Sequence, residues 1–198
     1  MVILDKYYTK TNLSFLLIDI TFKKIDDIKF DCIIEPSAGN GSFSDELTKH
    51  NNSKFSTLLF FDIEPEKNGI MREDFLSLKN NTFDKYNNIL CIGNPPFGKQ
   101  NNLAIKFFNK CASFNNVSYI AMIFPKSFRK NSIQNKLNLY FHLFWEEDIP
   151  DNSFISSDGN ITYNIPCIFQ IWKKEKNVRI IHKPETLKNT NNIEFIKN

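Results

Sequence analysis

The 198-residue chain has no apolar run approaching membrane-spanning length and no basic, apolar leader at its amino terminus. A bilayer partner is therefore not expected, and the protein reads as soluble and intracellular, in cytoplasm or nucleus. Its four cysteines, Cys32, Cys91, Cys111 and Cys167, lack the paired spacing of a zinc site and sit in apolar segments, so they read as reduced core residues with no metal to hold. The three histidines, His50, His142 and His182, have no acid or nucleophile partner in the sequence and are assigned no chemistry. Strong charge is missing too: a net +3 does not separate a nucleic acid from a protein as partner. No internal repeat is present. What is plentiful is Asn, Lys, Ile and Phe, the composition of an AT-rich genome such as that of a parasite, an AT-rich bacterium or a large DNA virus.

The length suits one domain, with apolar residues enough for a core. Helical and strand-like patterns alternate. Helix is expected over 12–24, 42–49, 103–114 and 133–140, and strand over 31–34, 57–61, near 69–71, 89–92 and 119–124. That order predicts a parallel sheet with helices on both faces and ligand loops at the carboxyl ends of the strands. The segments 141–145 and 165–172 have no helix between them and read as an antiparallel pair. The domain is expected to span 1–174, with 175–198 a polar, loosely ordered tail.

Asn94, Pro95, Pro96 and Phe97 end the apolar run 86–92. Proline lacks an N–H and fixes φ, so the tetrapeptide holds an extended turn in which the Asn94 side-chain oxygen and the Pro95 carbonyl can both face a cleft. Two acceptors there take both hydrogens of one NH2 group, and Phe97 offers a face to the flat ring that carries it. Upstream, Glu35-Pro36-Ser37-Ala38-Gly39-Asn40-Gly41-Ser42-Phe43 reads as strand end, glycine loop and helix start. The loop lacks the Lys-Ser/Thr ending of a phosphate-binding loop, and its acid disfavours a pyrophosphate. A zwitterionic or cationic ligand fits better. Asp62, followed by Ile63, lies about twenty residues beyond the glycines, where the acid of a βαβ unit bonds ribose hydroxyls. Asp74-Phe75 then pairs an acid with an aromatic, suited to an adenine edge.

In these motifs, from about Tyr7 to about Lys174, the chain resembles the S-adenosylmethionine-dependent methyltransferases that modify the exocyclic amine of adenine, in the gamma-type motif order. The family's catalytic motif, [D/N/S]-PP-[Y/F/W], corresponds to Asn94, Pro95, Pro96 and Phe97. The resemblance implies a class I, Rossmann-like fold: a seven-stranded, mostly parallel sheet with helices on both faces and a terminal antiparallel strand. It also implies S-adenosylmethionine as cofactor, held by Tyr8, Thr9, Glu35, Pro36, Ser37, Gly39, Gly41, Phe43, Asp62, Ile63, Asp74, Phe75 and Asn94, with Tyr7 to Thr11 closing over its methionine end.

The expected reaction is methyl transfer to N6 of adenine in DNA or RNA. Guanine N2 in RNA and a protein glutamine amide are served by the same tetrapeptide, though glutamine-modifying relatives typically carry Tyr where Phe97 stands. A silent subunit that binds nucleic acid is the alternative of a different class. Lys126, Arg129 and Lys130 follow strand 119–124 and are expected either to hold phosphates or to form a solvated face. Gamma-type DNA enzymes normally carry a further target-recognition domain, whereas only residues 173–198 follow the last expected strand. Specificity is then expected from the 145–166 insertion with its Phe154, from a specificity subunit or second copy, or from a structured RNA.

Overall fold

A computed structural model describes residues 7–50, 54–156 and 158–181. In chain order the elements are β1 (Tyr8–Thr9), α1 (Thr11–Lys24), β2 (Phe30–Glu35), α2 (Ser42–Lys49), β3 (Phe55–Asp62), β4 (Met71–Arg72), β5 (Ile89–Gly93), α3 (Asn102–Ser113), β6 (Val117–Pro125), α4 (Asn131–Gln134), β7 (Phe141–Asp148), β8 (Phe154–Ile155), β9 (Thr162–Tyr163) and β10 (Cys167–Lys174). Seven of the strands form one sheet in the order β4-β3-β2-β5-β6-β10-β7, and a small second sheet has the order β1-β8-β9. Strands β4, β3, β2, β5 and β6 pair in parallel; β10 runs antiparallel to both β6 and β7. The last strand in sequence therefore lies inside the sheet, and β7 forms its edge.

Strands β2 and β5 are nearly continuous in apolar residues because helices cover both faces of a parallel sheet. Their successive side chains divide between two cores, as the twofold period of a strand requires. Cys32, Ile34, Ile89 and Cys91 enter one core with α3, while Ile33, Leu90 and Ile92 enter the other with α1 and α2. Phenylalanine fills the first core: Phe75 stacks on Phe107 with centroids 6.2 Å apart, and Phe124 on Phe128 at 4.2 Å. The four cysteines are buried free thiols, and burial pushes Cys32 and Cys167 up to about 12.

Two expectations need correction. The helix expected over 133–140 is only the four residues of α4, because the Asn138 side chain accepts the Tyr140 N–H at 3.0 Å and closes a turn that competes with the helix. The packed part also extends past 174. Glu175 N–H bonds the Tyr140 carbonyl at 2.8 Å, and the Arg179 guanidinium donates to the Phe141 and Leu137 carbonyls at 2.9 and 3.0 Å. Residues 175–181 thus belong to the domain, and 182–198 lie outside the described residues.

The parallel arrangement brings the ends of β2, β3, β4 and β5 to one side of the sheet. Strand order reverses between β2 and β5, so Glu35 and Gly93 end side by side at the switch point, where an open α/β sheet leaves a crevice.

Candidate active site

A cleft of about 340 Å³ opens at that switch point, within the usual range for small-molecule sites. Of the residues expected from sequence to bind cofactor or perform chemistry, all but Gly41 line it. Gly41 sits behind the loop as the residue before α2, with φ 91°, where a Cβ would meet Lys67 Cδ at 2.9 Å.

The glycine loop is fastened from both sides. Asp62, at the end of β3, accepts the Gly39 N–H at 2.7 Å through one carboxylate oxygen and the Glu64 N–H at 2.8 Å through the other. Each oxygen has a second lone pair, so a ribose hydroxyl can still be accepted. Tyr8 covers the loop: a Cβ on Gly39 would lie 3.2 Å from its ring, and its hydroxyl donates to Glu66. Asp74 accepts the Leu76 N–H at 3.0 Å and caps a short 3-10 turn, which turns the buried Phe75 into the core with only one side toward the cleft. Ile63, 58% exposed, presents a free apolar face at the same end.

Two residues that line this cleft each carry a buried polar atom with no hydrogen-bond partner among the described residues, Glu35 Oε2 and Asn94 Oδ1. Buried acceptors are almost always satisfied, so a pair of orphans in one cleft marks where a ligand's donors belong. Burial, reinforced by the Asp62 and Asp45 carboxylates, holds the Glu35 carboxyl well above its ordinary value. The Asn94 amide is oriented by a bond from Nδ2 to Thr9 Oγ1 at 3.1 Å, and the Thr9 carbonyl in turn accepts the Ser42 hydroxyl at 2.7 Å. Strand β1 is placed by its register with β8, Thr9 opposite Phe154. The insertion between β7 and β10 therefore positions the amide.

Sequence reasoning missed several lining or supporting residues. Gly93 has φ 147°, and a Cβ there would come within 3.2 Å of Glu35 Cγ; its place just before Asn94 was the available signal. Leu103 and Phe107 line the cleft from α3, and Ala38, Glu64, Glu73 and Leu76 add to the wall.

Two of the three residues of the basic cluster are already engaged. Arg129 pairs with Glu146 at 2.6 Å and Asp148 at 3.0 Å, and Lys126 with Asp148 at 3.4 Å. Glu146 also accepts the Gln170 amide at 2.6 Å, and Gln170 accepts the Trp172 indole N–H at 3.0 Å. Lys130 is exposed and its carbonyl starts α4.

Sheet order, the reversed β10 and a cleft at the β2/β5 switch point define a class I, Rossmann-like methyltransferase fold. The sequence profile of the EDM2 methyltransferase-like domain matches residues 28–194, and the chain belongs to that family. Among solved structures, a putative RNA methyltransferase from Pyrococcus horikoshii superposes with a TM-score of 0.59 at 16% identity, over 88% of this chain and 90% of that one. The 23S rRNA methyltransferase ErmE gives 0.59 at 10% identity, over 87% and 71%. A putative class I S-adenosylmethionine-dependent methyltransferase from Listeria monocytogenes gives 0.62 at 13% identity, over 90% and 63%. No curated protein matches the sequence. Family and fold imply S-adenosylmethionine as cofactor, and the cleft fits it: an orphaned acid for a cation, a carboxylate for ribose hydroxyls and an apolar face at Ile63.

Proposed function

We propose that this domain transfers a methyl group from S-adenosylmethionine to the N6 amine of adenine in DNA or RNA. The observation that carries this reading is the Asn94 amide, on a residue that lines the cleft with Pro95, Pro96 and Phe97, tied through its nitrogen to Thr9 while Oδ1 stays buried and unpaired among the described residues.

An aromatic amine is a poor nucleophile because its lone pair is delocalised into the ring. Asn94 Oδ1 and the Pro95 carbonyl accept its two N–H bonds, which favours a tetrahedral nitrogen with the lone pair directed away from the ring. Bound S-adenosylmethionine supplies an electrophilic methyl group on a sulfonium. Positive charge would grow on the acceptor nitrogen as the methyl arrives, the two fixed acceptors would stabilise it without reorganising, and the surplus N–H proton would then be lost to water. The face of Phe97 adds a cation–π contribution of about 1 kcal/mol. Holding both reactants in line is the larger effect, up to roughly 7–11 kcal/mol. Glu35, Asp62 and Asp74 act on the cofactor side and Asn94 to Phe97 on the acceptor side. No side chain need act as a covalent nucleophile.

Guanine N2 and a glutamine amide present the same NH2 geometry and are the competing acceptors. The test is transfer of labelled methyl to separate DNA, RNA and protein pools, with Asn94→Ala as control and nucleoside mass spectrometry as readout. Label in N6-methyladenine that vanishes in the variant is expected. Label in another product reassigns the acceptor, and cofactor binding without transfer to any pool favours a silent, nucleic-acid-binding subunit.

A further inference from the structure

Of the three non-glycine residues with positive φ among the described residues, two are consecutive, Gln100 (φ 54°) and Asn101 (φ 64°), and they stand just past the tetrapeptide, Gly98 and Lys99. A left-handed conformation is unfavourable for a side-chain-bearing residue, and adjacent instances persist only where the surroundings hold them. Here the holding contact is visible. Asn101 Nδ2 donates to Ser127 Oγ at 2.7 Å, and the Asn101 N–H bonds the Gly98 carbonyl at 3.2 Å.

This strained turn sets the position of Phe97. The Phe97 carbonyl accepts the N–H groups of Leu103 and Ala104 at 3.2 and 3.3 Å, so the last residue of the tetrapeptide caps α3. Gly98 permits the approach, since a Cβ there would lie 2.8 Å from Leu103 Cγ. Ser127, the other end of the bond, stands in the 3-10 turn Lys126–Arg129 after β6. That turn is fixed in its own right, through Arg129 to Glu146, Gln170 and the fully buried Trp172. Polar contacts on both sides of this one turn thus link the sheet interior to the wall that carries Phe97. Asn101 itself is not among the residues that line the cleft.

We infer that Asn101 is a positioning residue, which by bonding Ser127 braces the loop after β5 against the loop after β6 and holds the Phe97 face in register with Asn94. The inference rests on the reading of Asn94 to Phe97 as the acceptor grip. It also gives the basic turn a structural role, in which Lys126 and Arg129 anchor Ser127 rather than reach for phosphates.

Asn101→Gly keeps the left-handed conformation and deletes the amide, Ser127→Ala deletes the partner, and the double variant closes the cycle. In wild type and variants, kcat and KM come from labelled transfer to the pool that accepts methyl, and S-adenosylhomocysteine affinity from calorimetry. Either single variant is expected to lower kcat about tenfold or more, with cofactor affinity and the KM for S-adenosylmethionine unchanged, because small misplacements of a reacting pair are costly. The double variant should lose no more than either single one. An unaltered kcat in Asn101→Gly, or additive losses, overturns the brace. Amide hydrogen exchange on the cofactor-free proteins decides independently of turnover: Leu103 and Ala104 should exchange faster in both single variants, and unchanged protection there also overturns the inference. Wild type that transfers no methyl while Leu103 and Ala104 behave as expected defeats the acceptor reading and leaves the brace standing.

Discussion

The Asn94 amide nitrogen donates to the Thr9 hydroxyl oxygen at 3.1 Å, joining residues 85 positions apart in sequence. One bond thus fixes which end of the amide is held by the protein, and the oxygen is left buried without a partner among the described residues. Replacing Thr9 with valine keeps its shape and deletes that acceptor. A lost hydrogen bond of this kind costs about 1–1.5 kcal/mol, so Thr9→Val should lower kcat roughly tenfold. Thr9→Ser should restore it. Labelled transfer and calorimetry separate two roles: a loss confined to cofactor affinity makes Thr9 a cofactor ligand, not the holder of the amide.

Glu35 is 2% exposed, and this burial, with the Asp62 and Asp45 carboxylates, raises its proton affinity against a smaller lowering from the Ser44 backbone bond. Its folded-state pKa lies above the unfolded value of about 4.3, so its contribution to stability is complete below about pH 4.3 and lost as pH rises through the folded value. Cofactor-free wild type should therefore lose thermal stability above about pH 4.5 faster than Glu35→Gln does, and the variant should be at least as stable near neutrality. Melting curves across pH measure this. Parallel curves would mean that Glu35 is compensated in solution, and its unpaired oxygen would no longer mark a cation site.

Motifs that depend on chain-local geometry were legible in the sequence. The glycine loop, Asp62 and the Asn94 tetrapeptide each follow or end a strand, and strand ends in a parallel sheet gather on one side, so reading the strands brought these segments to one cleft. What could not be read was long-range. Strand β1 is two residues long and exists only because β8 pairs with it, yet β8 lies in an insertion with no strong strand pattern. The short α4 is set by the Asn138 side chain and not by apolar periodicity. Phe75 and Phe107 show a limit of another kind, since a helix stripe and an adenine-flanking aromatic look alike in sequence, and here both residues serve the core and the cleft wall. The charge of Lys126 and Arg129 was visible, but Glu146 and Asp148, which engage them, come from the next strand.

Gly93 carries two constraints, a φ of 147° and the nearness of Glu35 Cγ to any Cβ. Gly69 carries only the first, with φ 88° and nothing within 4 Å of a Cβ. Backbone strain alone costs on the order of 1–3 kcal/mol, or several degrees of melting temperature at this chain length. Both Gly93→Ala and Gly69→Ala should show that loss, while only Gly93→Ala should also weaken S-adenosylhomocysteine binding, by displacing Glu35. Equal cofactor affinity in the two variants would detach Glu35 from the cofactor.

Arg129 and Lys130 are neighbours in sequence with different surroundings. Arg129 holds Glu146 and Asp148, whereas Lys130 is exposed beside the same loop. A phosphate contact releases counterions, so its removal reduces the slope of log affinity against log salt, by about 0.7 to 0.9 per contact. An ion pair with internal carboxylates releases none on binding. Arg129→Gln should therefore lower the melting temperature and leave the salt slope for a single-stranded, adenine-containing oligonucleotide unchanged. Lys130→Gln should do the reverse, reducing the slope with little effect on stability. Fluorescence anisotropy over a salt series reads both. A reduced slope in Arg129→Gln would make the guanidinium a phosphate contact after all, and the turn that carries Ser127 would then be part of the nucleic-acid surface rather than the anchor of the clamp.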